Sequence, residues 1–286
     1  MQQPADLLAS ILGLGRRTAI VDIGANPIDS DPPYKRMLSL GLCDLIGFEP
    51  QTDALTQLNA RKGPHETYLP YAVGDGQEHT LHICLASGMA SLLEPDPQGL
   101  ELFPEFPRWG SVQGKETMAT VRLDDVAEIT DIDFLKIDVQ GGELSVFRGG
   151  RAKLAKAVAI QTEISFIPLY KNQPPFGEID IELRSLGFVP HTFAALNRRM
   201  LAPLRGASPF DHLNQLMEAD IVYVRDFRDM ASMSKDQLSQ LAMIAHHVYK
   251  SFDLTVRCLV QLATLGSVQS INIENYINAV RSGSFT

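Results

Sequence analysis

Cysteine is scarce in this chain of 286 residues, which contains only three. Cys43, Cys84 and Cys258 lie far apart and form no C-x-x-C pair, so their spacing excludes the common zinc motifs and a disulfide framework. Scattered thiols are typical of proteins from a reducing compartment. We therefore expect a cytoplasmic protein.

Long hydrophobic runs are also missing. No apolar stretch approaches the roughly 18 residues that a membrane-spanning helix requires. The N-terminus has no basic segment followed by an apolar one, which is the pattern of a secretory signal. The sequence therefore predicts a soluble, unexported protein with no membrane partner.

Positive charge is the third deficit. Lysine and arginine together number 25 against 34 acidic residues, which gives a net charge of −9, and no basic tract stands out. This balance disfavours a nucleic-acid partner.

Hydrophobic residues make up 45% of the chain, so it can bury a sizeable core as one large domain or as a domain with an appendage.

What the sequence does contain is an alternation of short apolar runs and helical segments. Five of the runs predict buried strands, at residues 19–23, 44–49, 68–73, 134–138 and 158–164. Strands that alternate with helices predict an α/β fold, with a mostly parallel sheet and helices on both faces. Residues 188–193 and 219–224 predict a closing antiparallel pair.

The chain changes character near residue 229. Ser234 and Gln237 predict a capping box, and apolar residues then repeat at helical spacing. The expected domains are therefore a sheet domain at residues 1–228 and a C-terminal helical appendage at residues 229–286. The apolar stripe of the appendage predicts packing against the sheet domain, a homodimer, or a docking surface for a partner protein.

A long segment rich in proline and glycine, residues 86–116, interrupts the alternation. It is too long for an ordinary connection, which predicts a lid or a binding segment. Its aromatic residues could line an acceptor pocket with two serines, or they could form a hydrophobic plug that anchors the loop. The residues concerned are Ser87, Ser91, Phe103, Phe106 and Trp109.

Acids and glycines stand at the ends of the predicted strands, where ligands bind in α/β sheets. Asp22, Gly24 and Asn26 follow the first strand and predict close approach of the backbone to a cofactor, with binding of its amino-acid end. Glu49 ends the second strand and can accept hydrogen bonds from two ribose hydroxyls. Asp75 follows the third and is either an adenine-binding residue or a plain turn aspartate.

The glycine pattern separates two kinds of nucleotide cofactor. A dinucleotide site needs G-x-G-x-x-G, so that a pyrophosphate can bind at a helix N-terminus. Here Asn26 and Asp29 stand where the second and third glycines belong, and Asp31 adds a further charge that would repel a pyrophosphate. A sulfonium and a ribose tolerate these acids, so the strand ends favour S-adenosylmethionine over a nicotinamide cofactor.

Three more acids are candidate catalytic residues. Asp138 ends the fourth strand, Glu163 lies near the end of the fifth, and Glu143 lies in the first turn of a helix, where the dipole also favours an acid. Methyl transfer needs alignment of the donor and, where the acceptor is a hydroxyl, removal of the acceptor proton. Asp138, the first candidate, could contact the methyl donor, act as the base or position the acceptor, and Glu163 is the second candidate. The three could instead hold a divalent cation, but their spacing does not require one, and we predict none.

Several segments resemble a known family. VDIGAN, IGFEP, YAVGD, FLKIDVQGGELSVFRGG and QTEISFIPLY, spread over residues 18–226, are similar to the FkbM family of S-adenosylmethionine-dependent O-methyltransferases. The resemblance implies a Rossmann-like class I methyltransferase fold with a mostly parallel seven-stranded sheet and an antiparallel last strand. It also implies methylation of a hydroxyl on a sugar, glycan or other secondary metabolite.

Two positions depart from the family pattern. The family usually continues VDIGAN with a residue and glycine, where this chain has Pro27 and Ile28, and it usually has glutamate where Gln140 stands. These departures support an alternative, a non-catalytic module that keeps the fold and acts through its helical tail or the 86–116 segment. The acids at the other strand ends count against that alternative, because an idle pocket need not keep them.

Overall fold

The computed structural model describes residues 7–25 and 31–284. Its strands are β1 (Thr18–Ile23), β2 (Cys43–Phe48), β3 (Glu66–Leu69), β4 (Ala72–Gly74), β5 (Glu78–Cys84), β6 (Val112–Arg122), β7 (Phe134–Ile137), β8 (Ala159–Ser165), β9 (Phe188–Arg199) and β10 (Gln215–Arg225). Its helices are α1 (Leu7–Leu12), α2 (Lys35–Ser39), α3 (Thr52–Arg61), α4 (Pro97–Leu100), α5 (Phe106–Trp109), α6 (Glu143–Gly149), α7 (Arg151–Leu154), α8 (Phe176–Ser185), α9 (Lys235–His247), α10 (Phe252–Thr264) and α11 (Ser270–Arg281).

Seven strands form the main sheet, in the order β3-β2-β1-β7-β8-β10-β9. The pairs from β3 to β8 are parallel, and β10 runs antiparallel to both of its neighbours. Parallel neighbours need crossover connections, which the intervening helical segments supply. This architecture confirms the predicted α/β fold. From β1 the chain continues to β2 and β3 on one side of β1, and it later returns to β7 on the other side. The topological switch point therefore lies between β1 and β7.

The predicted third strand, at residues 68–73, is two strands in the structure. β3 completes the edge of the main sheet, whereas β4 joins β5 and β6 in a small second sheet of order β4-β6-β5. Pro70 lies between β3 and β4. Proline has no N–H to donate to a ladder, which explains why the strand divides there.

One face of the main sheet is covered by the C-terminal helices. Ile20, Phe134 and Val222 of the sheet share one buried cluster with Leu241 of α9 and Leu259 of α10. The capping box of Ser234 and Gln237 that begins α9 is present, as the sequence predicts. The helices therefore complete the core of the sheet. The boundary at residues 228 and 229 remains a prediction.

The opposite face packs against α6 and α8. Val21 and Ile137 of the sheet lie in a second buried cluster with Phe147 of α6 and Leu183 of α8. Helices thus cover both faces, as strand–helix alternation predicts. Within the described part of the chain, no helix has the length and apolarity needed to cross a membrane.

The 86–116 segment folds onto the cavity end of the sheet. Phe103 and Phe106 are buried in a third apolar cluster with Tyr170 and Met217. The plug interpretation is therefore correct for these two rings. It does not exclude the pocket interpretation, because Phe106 also contributes to the cavity wall described below.

Candidate active site

A cavity of about 530 Å³ opens at the carboxyl ends of β1, β2, β7 and β8. Its wall includes the strand ends at residues 22–25 and 48–51, Lys136 with residues 138–140, and on the other side the 86–92 segment. Its volume falls in the range of small-molecule sites, and its position is the crevice where doubly wound sheets bind ligands. The sequence prediction of a site at these strand ends agrees with this geometry.

The sheet face beneath the C-terminal helices changes from apolar to polar as it reaches the cavity. Along β1, buried Ile20 is followed two residues later by Asp22, and along β7, Phe134 is followed by Lys136. Alternate residues of a strand lie on the same face, so each pair shares one side of the sheet. The neighbouring strands make the same change at Gln161, Glu163, Glu218 and Asp220.

Asp22 is almost fully buried and both of its oxygens have partners. Oδ2 accepts a hydrogen bond of 2.5 Å from the Tyr34 hydroxyl, and Oδ1 lies 3.2 Å from Nζ of Lys136. Burial raises the pKa of Asp22, although the Lys136 ammonium opposes that shift. Burial works against the ammonium too, but the charges of Asp22 and Asp138 outweigh it, so the pKa of Lys136 is raised. Asp22 therefore forms a buried ion pair at the base of the cavity.

Gly24 brings the end of β1 against the end of β7. Its φ is +82°, and a Cβ at this position would lie 2.1 Å from the backbone oxygen of Asp138. Only glycine meets both conditions, so the backbone here can approach a cofactor without a side chain in the way. Asn26, predicted to share this role, lies outside the described residues, as do Pro27 and Ile28.

Glu49 is buried in the cavity wall just after β2. Its Oε1 accepts a hydrogen bond of 2.8 Å from the Gln51 N–H, which orients the carboxylate at the start of α3. Burial raises the pKa of Glu49, which the Gln51 N–H partly offsets. The position fits the predicted ribose-binding role, since a desolvated carboxylate forms strong hydrogen bonds with hydroxyl donors.

The structure does not bring Asp75 to the cavity. Its carboxylate accepts hydrogen bonds from the Gln77 N–H and the Thr120 hydroxyl and lies 2.8 Å from Nε2 of His79. These contacts tie together a turn of the second sheet. The division of the predicted third strand explains the displacement, since β4 and the turn after it belong to that sheet. This end of the cavity is lined instead by residues 71–73.

The three candidate catalytic acids converge. Asp138, Glu143 and Glu163 each offer an oxygen, and these oxygens lie within 4.8 Å of one another. Hard carboxylate oxygens at such distances are compatible with a divalent cation. Two of the carboxylates are bridged by Gln140, whose Nε2 donates to Oδ1 of Asp138 at 2.8 Å and to Oε2 of Glu163 at 3.1 Å.

Protonation at this centre is strongly perturbed. Burial, and then the charges of Asp138 and Glu218, raise the pKa of Glu163 well above its ordinary value. Burial also raises the pKa of Glu143 to about 7, although its Oε1 accepts N–H bonds from Val139 and Gly141 that favour the charged form. A raised carboxyl pKa in a cleft is typical of groups that exchange protons near neutral pH.

The sequence alone does not predict four of the residues that line the cavity: Lys136, Gln140, Glu218 and Asp220. Glu218 and Asp220 lie on β10 and line the cavity, and Asp220 is the cross-strand partner of Glu163. Burial is the main cause of the raised pKa of both. The sequence feature that could have revealed Glu218 and Asp220 is their place at alternate positions of a strand that is otherwise largely apolar.

The side of the cavity opposite the ends of β1 and β2 is formed by two segments far apart in sequence. The first contributes Met89, Phe106 and Trp109, and the β9–β10 hairpin contributes Asn197 and Arg199. Asn197 donates a hydrogen bond of 3.0 Å to Glu218. The wall therefore combines aromatic faces with hydrogen-bonding groups, a combination suited to a hydroxylated small molecule.

Comparison with known proteins agrees with this geometry. The family model "Methyltransferase FkbM domain" matches residues 22–190, more than half of the chain, so the protein belongs to the FkbM methyltransferase family. The predicted class, an S-adenosylmethionine-dependent methyltransferase, is thereby confirmed. The glycine approach at Gly24 and the buried carboxylate of Glu49 fit that cofactor.

Among individual proteins, the 2-O-methyltransferase NoeI of Sinorhizobium fredii (strain NBRC 101917 / NGR234) is 31% identical over 169 residues, which are 56% of this chain and 68% of that protein. Magnesium protoporphyrin IX methyltransferase of Synechocystis PCC 6803 matches with a TM-score of 0.38 at 10% identity, covering 77% of this chain and 74% of that one. A putative S-adenosylmethionine-dependent methyltransferase of Listeria monocytogenes matches with a TM-score of 0.42 at 10% identity, covering 77% and 95%.

Proposed function

We propose that this protein is an O-methyltransferase that methylates a hydroxyl of a sugar, glycan or other secondary metabolite. The observation that carries the proposal is the position of Asp138 and Glu163. Their carboxylates line the same cavity as the strand ends that fit the methyl donor and the aromatic side chains of Phe106 and Trp109. The 2-O-methyltransferase named above supports oxygen as the acceptor atom.

Different residues have different roles in this proposal. Gly24 and Glu49 hold the donor at the ends of β1 and β2, and Asp22 supports that region from below through its ion pair with Lys136. S-adenosylmethionine, when bound, supplies an electrophilic methyl group on a sulfonium. The positive charge of that sulfonium would favour the ionised form of Glu163, whose pKa is raised by burial, and so prepare its carboxylate to accept a proton.

Glu163 is the proposed general base. Its carboxylate would accept the proton of the acceptor hydroxyl, while the bound donor would supply the methyl group to the hydroxyl oxygen. Asp138, which shares the Gln140 amide with Glu163, would stabilise the positive charge of a bound donor. Alignment supplies most of the acceleration, because the leaving group is already activated.

A non-catalytic module acting through its helical tail is not favoured. The tail would have to present its apolar face to a partner, but residues of α9 and α10 bury that face against the sheet. The carboxylates of Asp138 and Glu163 also line the cavity, where a methyl-transfer reaction would use them.

Calorimetric titration with S-adenosylmethionine and S-adenosylhomocysteine tests the donor site. We expect micromolar binding to the unmodified protein and binding about 10- to 100-fold weaker for Glu49→Ala, because a charge-assisted pair of hydrogen bonds is lost. Glu101→Ala, which removes an exposed acid of the 86–116 segment, is the control and should bind normally. If neither S-adenosylmethionine nor S-adenosylhomocysteine binds at millimolar concentration, the proposal is contradicted.

A mass-spectrometric screen of glycosides and hydroxylated metabolites tests the acceptor site. For an accepted compound, Glu163→Gln should keep its affinity for S-adenosylhomocysteine and lose about 10²- to 10⁴-fold in transfer rate, as expected for removal of a general base. Full transfer activity in this variant would rule out Glu163 as the base.

A further inference from the structure

Gln140 occupies a strained position in the loop between β7 and α6. Its φ is +55°, in the left-handed region that non-glycine residues seldom adopt. A contact from a different segment holds the loop in this conformation. The hydroxyl of buried Ser91 donates a hydrogen bond of 2.7 Å to the backbone oxygen of Gln140. Strain that the surroundings maintain in this way is typical of functional sites.

The side chain of Gln140 has a partner at each polar atom. Nε2 donates to Asp138 at 2.8 Å and to Glu163 at 3.1 Å, so both N–H groups are used. Oε1 accepts a hydrogen bond of 3.1 Å from the hydroxyl of Tyr170, which is itself buried. The reversed amide would place Oε1 against two carboxylates, so this network determines which way the amide points.

Two ionised carboxylates this close repel each other unless something positive lies between them. A divalent cation can supply that bridge by coordination, and an amide can supply it through two N–H dipoles. In this chain Gln140 already occupies the bridging position, and the Tyr170 hydroxyl opposes its rotation. The third nearby acid, Glu143, has an oxygen engaged by the N–H groups of Val139 and Gly141.

We propose that Gln140 is a positioning residue whose amide takes the place of a bridging divalent cation between Asp138 and Glu163. It holds the two carboxylates in fixed relation to each other and to the donor, and it does so without adding charge. The catalytic meaning of this arrangement rests on the proposed function. The bridge itself is a property of the folded chain and can be tested without an acceptor.

Titration with Mn²⁺, followed by electron paramagnetic resonance of the free ion, is the test. We expect the unmodified protein to show no saturable Mn²⁺ binding. Gln140→Glu should bind one Mn²⁺, at least about tenfold more tightly than any site in the unmodified protein, because it replaces the two donors by a further oxygen ligand. Gln98→Glu makes the same change at an exposed position and should resemble the unmodified protein.

A second variant covers the case in which Gln140→Glu does not fold. Gln140→Met keeps the length of the side chain and has no N–H donor, so it should also leave the carboxylates open to Mn²⁺. Equal Mn²⁺ binding by the unmodified protein and the folded variants would overturn the proposal. So would the absence of binding in variants whose circular dichroism shows that they are folded.

Kinetics separate positioning from a purely structural role. With an accepted acceptor, Gln140→Met should lower kcat about tenfold or more while its affinity for S-adenosylhomocysteine stays within about twofold of normal. Tyr170→Phe, which loosens the amide but keeps its N–H groups, should have a smaller effect on kcat. An unchanged kcat in Gln140→Met would contradict the role. If the protein binds no methyl donor at all, the proposed function fails, and the Mn²⁺ result remains interpretable.

Discussion

At the residue scale, Glu143 shows how a fold changes the chemistry of one side chain. In sequence it is an acid in the first turn of a helix, where the dipole favours the charged form. In the structure, burial has the larger effect and raises its pKa to about 7. The carboxyl group therefore keeps its proton in the folded protein at pH values where the unfolded chain has lost it.

This shift predicts a pH dependence of stability. Between about pH 4.5 and about pH 7 the folded state binds a proton at Glu143 that the unfolded state does not, so stability falls as pH rises through this window. The full shift corresponds to roughly 3 kcal/mol. In Glu143→Gln that contribution disappears, while the amide oxygen still accepts the two backbone N–H bonds.

Urea denaturation at the two ends of this pH window measures the effect. Glu143→Gln should lose less free energy of unfolding with rising pH than the unmodified protein, by up to about 3 kcal/mol. Glu178→Gln, at the exposed start of α8, is the matched control and should follow the unmodified protein. The same slope in all three proteins would show that Glu143 is not the group responsible.

At the element scale, the ends of β1 and β7 approach each other closely at Gly24. Gly24→Ala should lower the free energy of unfolding by about 1–3 kcal/mol, because the alanine Cβ meets a backbone oxygen and φ is positive. It should also weaken donor binding. Gly177→Ala in α8 has open space for its Cβ and should be neutral or stabilising by up to about 1 kcal/mol. Normal stability of Gly24→Ala would exclude the clash.

Elements also show how far local pattern predicts this fold. The first, fourth and fifth predicted strands and the C-terminal helices match the structure closely, because their apolar periodicity reflects burial on a sheet face or a helix face. The third predicted strand does not match. One apolar run can extend across Pro70 in sequence, but the two halves pair with different sheets, and strand pairing is not encoded locally.

At the scale of the whole molecule, the C-terminal helices and the sheet should unfold together, because they share one buried cluster. The single tryptophan, Trp109, lies on the cavity wall, far from α9 in sequence, and reports on that end of the molecule. We expect tryptophan fluorescence and helical circular dichroism to follow one denaturation curve. Two separated transitions would instead support an independent helical domain.

A substitution sharpens this test. Leu241→Ala in α9 should shift both signals together and lower the free energy of unfolding by about 2–5 kcal/mol, as for a buried leucine. Val260→Ala, at an exposed position of α10, should change stability by less than about 1 kcal/mol. The homodimer through these helices that the sequence suggests remains a prediction.

The sequence by itself determined the class of fold, the family, and the strand ends at which the site would lie, because periodicity and short motifs are local properties of the chain. It also predicted Asp138, Glu143 and Glu163 as candidate site residues, and the fold brings their carboxylates together. Only the tertiary structure decided that Asp75 lies away from the cavity, that Glu218 and Asp220 line it, and that Gln140 bridges two acids. Those facts depend on which strands become neighbours and on how deeply each side chain is buried, and both are set by packing between residues distant in sequence.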